Sequence, residues 1–434
     1  MTEPETWAAP VARGPVDATV RVPGSKSLTN RWLVLAALAE GPSLLHDPLR
    51  SQDSRAMVEA LRTLGAAVDD GRDDRWRVDP PARLRGSVTV DCHQAGTVMR
   101  FLAPVAALAD GPVRLDGHVT ARSRPVGPVL QALRDLGVAV EDEGRGTLPY
   151  TVRGTGAVRG GRVRLDASAS SQFVSALLLA APRFADGLLL EHAGGVLPSL
   201  PHVDMTVEVL RRAGVRVDRP GPSAWQVFPG TVPGLDVHVE PDLSSAAPFL
   251  ALAAVSGGRV TVPGWPSSTT QPGDRLPSVL ESMGCRTVRD EAGLTVQGPA
   301  GGRLRGGLDL DLSEVGELTP VVAALCVLAG AASRIRGVAH LRGHETDRLA
   351  ALTTEIRRLG GSVEETDDGL QITPTTLHAA ELRTYHDHRM AMFAAVVGAV
   401  VPGVRVQDVA CADKTFPGFD RTWETAVATA RGRR

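Results

Sequence analysis

The chain carries 47 basic residues, and only two of them, Lys26 and Lys414, are lysines. A sequence that uses arginine wherever arginine will serve keeps lysine where a compact ammonium with a shiftable pKa is needed, because a guanidinium does not give up its proton. Lys26 stands in Val22-Pro-Gly-Ser-Lys-Ser-Leu-Thr-Asn-Arg31, which also holds the single asparagine, Asn30. A strand over 18–22, a glycine turn and an apolar helix over 32–39 put Ser25, Lys26, Ser27 and Arg31 around a helix N-terminus. Unpaired N–H groups, the helix dipole, hydroxyls and two cations there suit an anion. The serines alone would explain an ordinary capped helix; the rare lysine and asparagine would not. The spacing is not that of a nucleotide phosphate loop, since the lysine follows the glycine by two residues.

Further groups of the same chemical kind recur along the chain. Gly96, in Ala95-Gly-Thr-Val-Met-Arg100, removes a side chain where backbone must come close to a ligand. Arg100 and Arg124 offer forked donors, although surface arginines are the simpler reading in a chain this rich in them. Ser170, Ser171 and Gln172 place short donors before an apolar helix expected over 173–181. Glu345 and Arg348 are three apart at an expected helix start, where a plain intrahelical ion pair is the simpler reading. Tyr385, two histidines, Asp387 and Arg389 crowd together just before an apolar helix expected over 390–401.

The elements that must position these groups show a repeat. A helix-like L-x-x-x-G end recurs at Gly65, Gly137, Gly214, Gly284 and Gly360, at intervals of 72, 77, 70 and 76 residues. Each glycine fits a helix C-terminus that needs left-handed backbone. Each is followed by an alternating strand, a polar turn and a second strand, such as Trp76-Arg-Val, Tyr150-Thr-Val or Trp225-Gln-Val. This period is too long for a solenoid and indicates repeated α/β subdomains. Five clear copies and a degenerate sixth built from both ends of the chain give two domains of three units. The expected division is residues 1–20 with 242–434, and 21–241.

Length and composition agree with a two-domain globular protein: 434 residues, 43% hydrophobic and 22% charged. A net charge of −2 argues against a general nucleic-acid or anionic-membrane binder. No uncharged apolar stretch approaches the roughly 18–20 residues of a membrane span, and the first residues do not read as a secretory signal. Four scattered cysteines without a C-x-x-C pair indicate neither a disulfide framework nor a zinc site, and a cytoplasmic location is expected.

The pattern Pro-Gly-Ser-Lys-Ser-x-Thr-Asn-Arg resembles that of the 5-enolpyruvylshikimate-3-phosphate synthase family residue for residue. The blocks Ala95–Arg100, Arg124-Pro125, Ser170–Gln172, Asp242-x-Ser-Ser245, Glu345–Leu349, Asp387–Ala391 and Asp413–Pro417 follow in the family's order across residues 22–417. The resemblance implies an enolpyruvyl transferase-like α/β fold of two domains, each three βαβαββ units forming an inside-out barrel, that close over their substrates. It implies transfer of the carboxyvinyl group of phosphoenolpyruvate to the 5-hydroxyl of shikimate 3-phosphate, without metal or organic cofactor, in a monomer. It further implies that Lys26, Ser27, Arg31, Ser170, Ser171, Gln172, Ser199, Glu317, His340 and His344 hold shikimate 3-phosphate. Lys26, Gly96, Arg124, Gln172, Arg348, Arg389 and Lys414 would hold phosphoenolpyruvate. Glu317 becomes the base toward the 5-hydroxyl, and Lys26 and Glu345 the proton-transfer groups.

The chain departs from the family pattern in several places. Gln94 precedes Ala95-Gly-Thr where asparagine is usual, and Phe101 stands where proline is common. Leu200 and His202 replace a lysine and a tyrosine after Ser199. Glu317 takes the place of a catalytic aspartate, with Glu314 a nearby competitor for that alignment. His340 and His344 take asparagine and lysine positions. Two other readings are open: an enolpyruvyl transferase for UDP-N-acetylglucosamine, and a non-catalytic phosphate- or RNA-binding protein on the same repeat. The first is disfavoured because no cysteine lies between Asp116 and Pro125, and the second by the low net charge.

Overall fold

The computed structural model describes residues 6–71 and 74–430. They form two compact units: the described residues up to Pro23 with those from Glu240 on, and Gly24–Val239. Six small sheets serve the repeats, five of them four-stranded and one three-stranded.

In the unit Gly24–Val239 the repeat that begins at Val88 shows the plan. Strand Val88–Asp91 leads into helix Gly96–Ala106, and strand Pro112–Asp116 returns parallel to the first, with Val90 opposite Leu115. Helix Gly127–Asp135 follows, and strands Ala139–Glu141 and Tyr150–Arg153 complete βαβαββ as an antiparallel pair. The next repeat uses helices Gln172–Ala180 and Pro201–Arg212 in the same places. The remaining one uses helices Lys26–Ala37 and Gln52–Thr63, and takes its first strand, Asp236–His238, from the far end of the segment to lie parallel to Ser43–His46.

The other unit follows the same scheme. Asp17–Thr19 supplies the first strand for the repeat containing helix Leu243–Ser256, pairing parallel with Arg259–Val262. The repeat with helices Thr319–Val327 and Arg348–Arg358 is continuous in sequence. The degenerate copy is built from both ends of the chain: Thr6–Ala8 pairs antiparallel with Arg405–Gln407, beside Glu381–Leu382.

Burial explains why the barrel is inside out. The first helix of each repeat is buried on every side; all of Gly96–Ala106 and all of Thr319–Val327 are enclosed. Beyond their polar first turns such helices are largely apolar, and they pack on one another at the centre of their unit. The sheets lie outside them, one face wet: in Arg75–Asp79, Arg75 and Arg77 face solvent while Trp76 and Val78 face in. The inward residues Trp76, Tyr150, Trp225, Leu294 and Leu370 of the second strands are all buried. Each contributes roughly 1.5–3 kcal/mol by leaving water. The five repeat glycines have φ between 81° and 103°, the left-handed backbone that ends a helix.

Helix boundaries differ from the sequence reading in an informative way. The helix expected from residue 32 starts at Lys26, because Ser25 caps it by accepting from the Leu28 N–H. Lys26 is therefore the first residue of the helix. Among the described residues no helix is long and apolar enough to cross a membrane.

Candidate active site

Within Gly24–Val239 the N-terminal turns of the three inner helices come to one end of the unit. The Asn30 side-chain amide donates to Thr97 Oγ1 at 2.7 Å, joining the first turns of helices Lys26–Ala37 and Gly96–Ala106. Arg100 donates to Gln172 Oε1 at 2.8 Å and to the Pro125 carbonyl at 3.1 and 3.0 Å, joining the third helix and the Arg124 loop. Three positive dipole ends thus share a neighbourhood with the serines and cations of the motifs, a field that favours anions.

Lys26 Nζ lies 3.4 Å from Asp53 Oδ2, and Asp53 is buried in the first turn of helix Gln52–Thr63. The turn before Lys26 needs Gly24, where a Cβ would fall 2.1 Å from the Asp47 carbonyl oxygen. Gly96 leaves space for a guanidinium: a Cβ there would lie 2.6 Å from Arg124 Nη2. The close approach that the sequence analysis expects at Gly96 is made, in the structure, by Arg124. Arg124 also donates to the Gln94 carbonyl at 3.1 Å, while its buried Nε meets no protein partner. Ser170 Oγ accepts from the Gln172 N–H at 3.3 Å. Ser199 takes left-handed backbone, φ 51°, unusual for a residue with a side chain.

Arg31 sits deeper than its neighbours. It is buried and donates to Thr206 Oγ1 at 2.8 Å, Ser175 Oγ at 3.3 Å, and the carbonyls of Ser27 and His202 at 2.8 and 2.9 Å. Its geometry is that of a tie between helices Lys26–Ala37, Gln172–Ala180 and Pro201–Arg212. His202, in place of the family's tyrosine, is buried and serves this tie through its carbonyl.

In the other unit one network gathers most of the foreseen residues. Arg348 starts helix Arg348–Arg358 and is buried. Its Nε donates to Asp387 Oδ2 at 2.7 Å, and Nη2 donates to Asp387 Oδ1 at 3.2 Å and Glu345 Oε2 at 3.1 Å. Glu345 Oε1 accepts from Lys414 Nζ at 2.8 Å. The bland sequence reading of Glu345 and Arg348 as an i,i+3 pair is correct as far as it goes, but the pair is a fraction of a buried cluster. Burial opposes the Arg348 charge, yet Asp387 and Glu345 outweigh it and hold that guanidinium well above its ordinary pKa. Asp387 also caps helix His388–Gly398 by accepting from the Arg389 N–H.

Arg389 donates to the Ser244 carbonyl at 2.8 Å and lies 3.5 Å from Glu317 Oε2. Glu317 is half-buried beside this cation, whereas Glu314 is exposed, which separates the two glutamates that the sequence left in competition. His340 is pushed down to about 4 by burial, with Arg348 adding to the effect and Glu317 opposing it, so it is neutral near pH 7. Its buried Nε2 meets no protein partner and touches the space a Gly316 Cβ would fill. His344 Nδ1 faces Arg348 Nη1 at 3.4 Å, and since arginine only donates, the imidazole accepts there.

The sequence assigns no site role to Asp53, Thr97 or Arg100, and places Asp387 in a charged run without its partner Arg348. Thr97 and Arg100 lie inside a quoted motif and Asp53 inside none, but the importance of each comes from a partner dozens of residues away. Among the described residues no cluster of histidine, cysteine or acidic side chains could hold a metal ion.

Comparison with solved structures identifies the fold as that of the enolpyruvyl transferases. An EPSP synthase structure from Acinetobacter baumannii superposes with a TM-score of 0.79 at 20% identity, covering 97% of this chain and 98% of that one. The crystal structure of an enolpyruvyl transferase from Streptomyces tendae gives a TM-score of 0.73 at 18% identity, covering 98% and 97%. In sequence, the chain is 56% identical over 435 residues to a 3-phosphoshikimate 1-carboxyvinyltransferase of Kocuria rhizophila, spanning 98% of this chain and 97% of its relative. Residues 11–423 match the family EPSP synthase (3-phosphoshikimate 1-carboxyvinyltransferase), and the chain belongs to that family.

Proposed function

We propose that the chain transfers the carboxyvinyl group of phosphoenolpyruvate to the 5-hydroxyl of shikimate 3-phosphate and releases phosphate. Membership of the EPSP synthase family supports this reaction over transfer to a sugar nucleotide or a purely binding role. The observation that carries the chemistry is Glu345 held between Lys414 and Arg348: a carboxylate fixed among cations.

In the addition step Glu317 takes the 5-hydroxyl proton as the oxygen bonds to C2 of phosphoenolpyruvate, and a proton goes to C3, turning the methylene into a methyl group. In the elimination the methyl group gives a proton back, the double bond reforms and phosphate leaves with its bridging oxygen. Lys26 and Glu345 are the proton carriers for C3 and the leaving phosphate. Ser170, Ser171, Gln172, Ser199, Ser27 and Arg31, with His340 and His344, hold shikimate 3-phosphate. Gln172, Arg124, Arg348, Arg389, Lys26 and Lys414 hold phosphoenolpyruvate, stabilising a highly anionic transition state. The buried, unpartnered nitrogens of Arg124 and His340 suit a ligand of oxygen acceptors and hydroxyls. The enzyme acts as a cytoplasmic monomer.

The test is phosphate release from phosphoenolpyruvate with shikimate 3-phosphate or UDP-N-acetylglucosamine as acceptor. Release is expected only with shikimate 3-phosphate; release only with the sugar nucleotide would overturn the reading.

A further inference from the structure

Glu355 is a fully buried carboxylate with no part in the chemistry above. It lies near the end of helix Arg348–Arg358, and its oxygens are fully engaged. Oε1 accepts from the Tyr385 hydroxyl at 2.6 Å, and Oε2 accepts from Arg358 Nε at 3.0 Å and from the Arg383 N–H at 3.1 Å. Two of these three donors belong to the segment that runs directly into Asp387 and Arg389.

That segment is strained. Tyr385 and His386 both adopt left-handed backbone, with φ of 55° and 56°. Consecutive side-chain-bearing residues rarely adopt this backbone, and they persist in it only when their surroundings impose it. The turn ends at Asp387, whose carboxylate grips Arg348 and caps the helix that starts the Arg389 side chain on its course to Glu317. A second strut reaches the same turn from elsewhere. His386 Nδ1 lies 2.7 Å from Asp408 Oδ2, and Asp408, also left-handed at φ 53°, opens the turn Val409–Lys414 that delivers Lys414.

We infer that Glu355 is a positioning residue: through the Tyr385 hydroxyl and the Arg383 amide it holds the left-handed Tyr385–His386 turn, and so fixes where Asp387 and Arg389 stand. A glutamate used only to staple a helix end would need its bond to Arg358 alone. The inference rests on the proposed reaction for its kinetic consequence, but its structural part stands apart from it.

The experiment compares the full-length wild-type chain with Tyr385→Phe and Glu355→Gln. Steady-state rates are expected to show a KM for phosphoenolpyruvate about tenfold higher in Tyr385→Phe, the size of one lost hydrogen bond to a charged group. The KM for shikimate 3-phosphate should stay within about threefold, and kcat should fall by less than the KM for phosphoenolpyruvate rises, since the turn places Asp387 and Arg389 directly and reaches Glu345 and Glu317 only through them. The two changes share the Tyr385–Glu355 contact, so their effects on the KM for phosphoenolpyruvate should be less than additive in the double variant. Amide exchange over residues 384–390, measured without substrate, should be at least about tenfold faster in Tyr385→Phe. Unchanged exchange there would overturn the positioning role whatever the reaction turns out to be. So would accelerated exchange with an unchanged KM in an active enzyme. A wild-type chain that releases no phosphate would count against the proposed reaction alone, with exchange still deciding the role of Glu355.

Discussion

Lys414 Nζ donates to one oxygen of Glu345 at 2.8 Å, and Arg348 donates to the other at 3.1 Å. The two cations come from places 66 residues apart in sequence, and Asp387 backs Arg348 from a third. A buried cluster of two cations and two carboxylates satisfies its own charges far better than any member could alone, which is the condition for keeping ionised groups out of water. It also brings Lys414 and Arg348, the two cations proposed to bind phosphoenolpyruvate, within hydrogen-bonding distance of one carboxylate, the proposed proton carrier Glu345.

The contact between Gly96 and Arg124 gives the first test. Gly96→Ala would put a Cβ 2.6 Å from Arg124 Nη2, and the guanidinium, at the end of a flexible chain, would move. The KM for phosphoenolpyruvate should rise about tenfold or more, the cost of misplacing a charge-assisted donor. Thermal stability should hardly change. Identical KM values for variant and wild type would show that Arg124 is not set by this contact.

Arg31 was read from the sequence as a substrate ligand, and its hydrogen bonds also make it a tie between three helices. Arg31→Met should therefore lower the free energy of unfolding by about 3 kcal/mol, the order expected when a buried, hydrogen-bonded charge is removed. Urea midpoints measure this. A variant as stable as the wild type, but with weakened shikimate 3-phosphate binding, would mean the tie contributes nothing.

His340 links stability to pH. Its folded pKa is lowered to about 4, below the ordinary value of 6.5. The unfolded chain therefore binds the proton more readily, and stability contributed by the neutral imidazole is present above pH 6.5 and lost as pH falls from 6.5 toward 4. His340→Asn, which does not titrate, should lose less stability over that window, by up to about 3 kcal/mol. Denaturant midpoints at both ends of the window check it; parallel pH profiles for the two proteins would contradict it.

The repeat was legible because its marks are local. A helix C-terminus needs a glycine, a half-buried strand alternates, and five copies of both survive in the sequence at regular spacing. The start of the Lys26 helix was missed because polar Ser27, Thr29 and Asn30 do not look like an apolar helix face, although the last two are buried. They are buried because they bond to other segments: Thr29 Oγ1 accepts from the Leu49 N–H, and Asn30 donates to Thr97. The proposed site residues are legible as motifs, but Asp53 and Glu355 are not, nor is the pairing of Asp387 with Arg348, since a carboxylate that orients a group from another part of the chain leaves no spacing signal. The histidines at 340 and 344 could be seen to replace other residues; that His340 is half-buried and neutral depends on packing that only the fold supplies.

The most direct measurement is the turnover of Glu345→Gln with phosphoenolpyruvate and shikimate 3-phosphate. Glutamine keeps the shape and an oxygen acceptor but cannot carry a proton, so kcat should fall by about 10²–10⁴-fold, the usual worth of a positioned acid–base group. The KM for shikimate 3-phosphate should change little. A kcat within about threefold of wild type would show that the carboxylate between Lys414 and Arg348 only holds those two cations in place, and that the proton moves elsewhere.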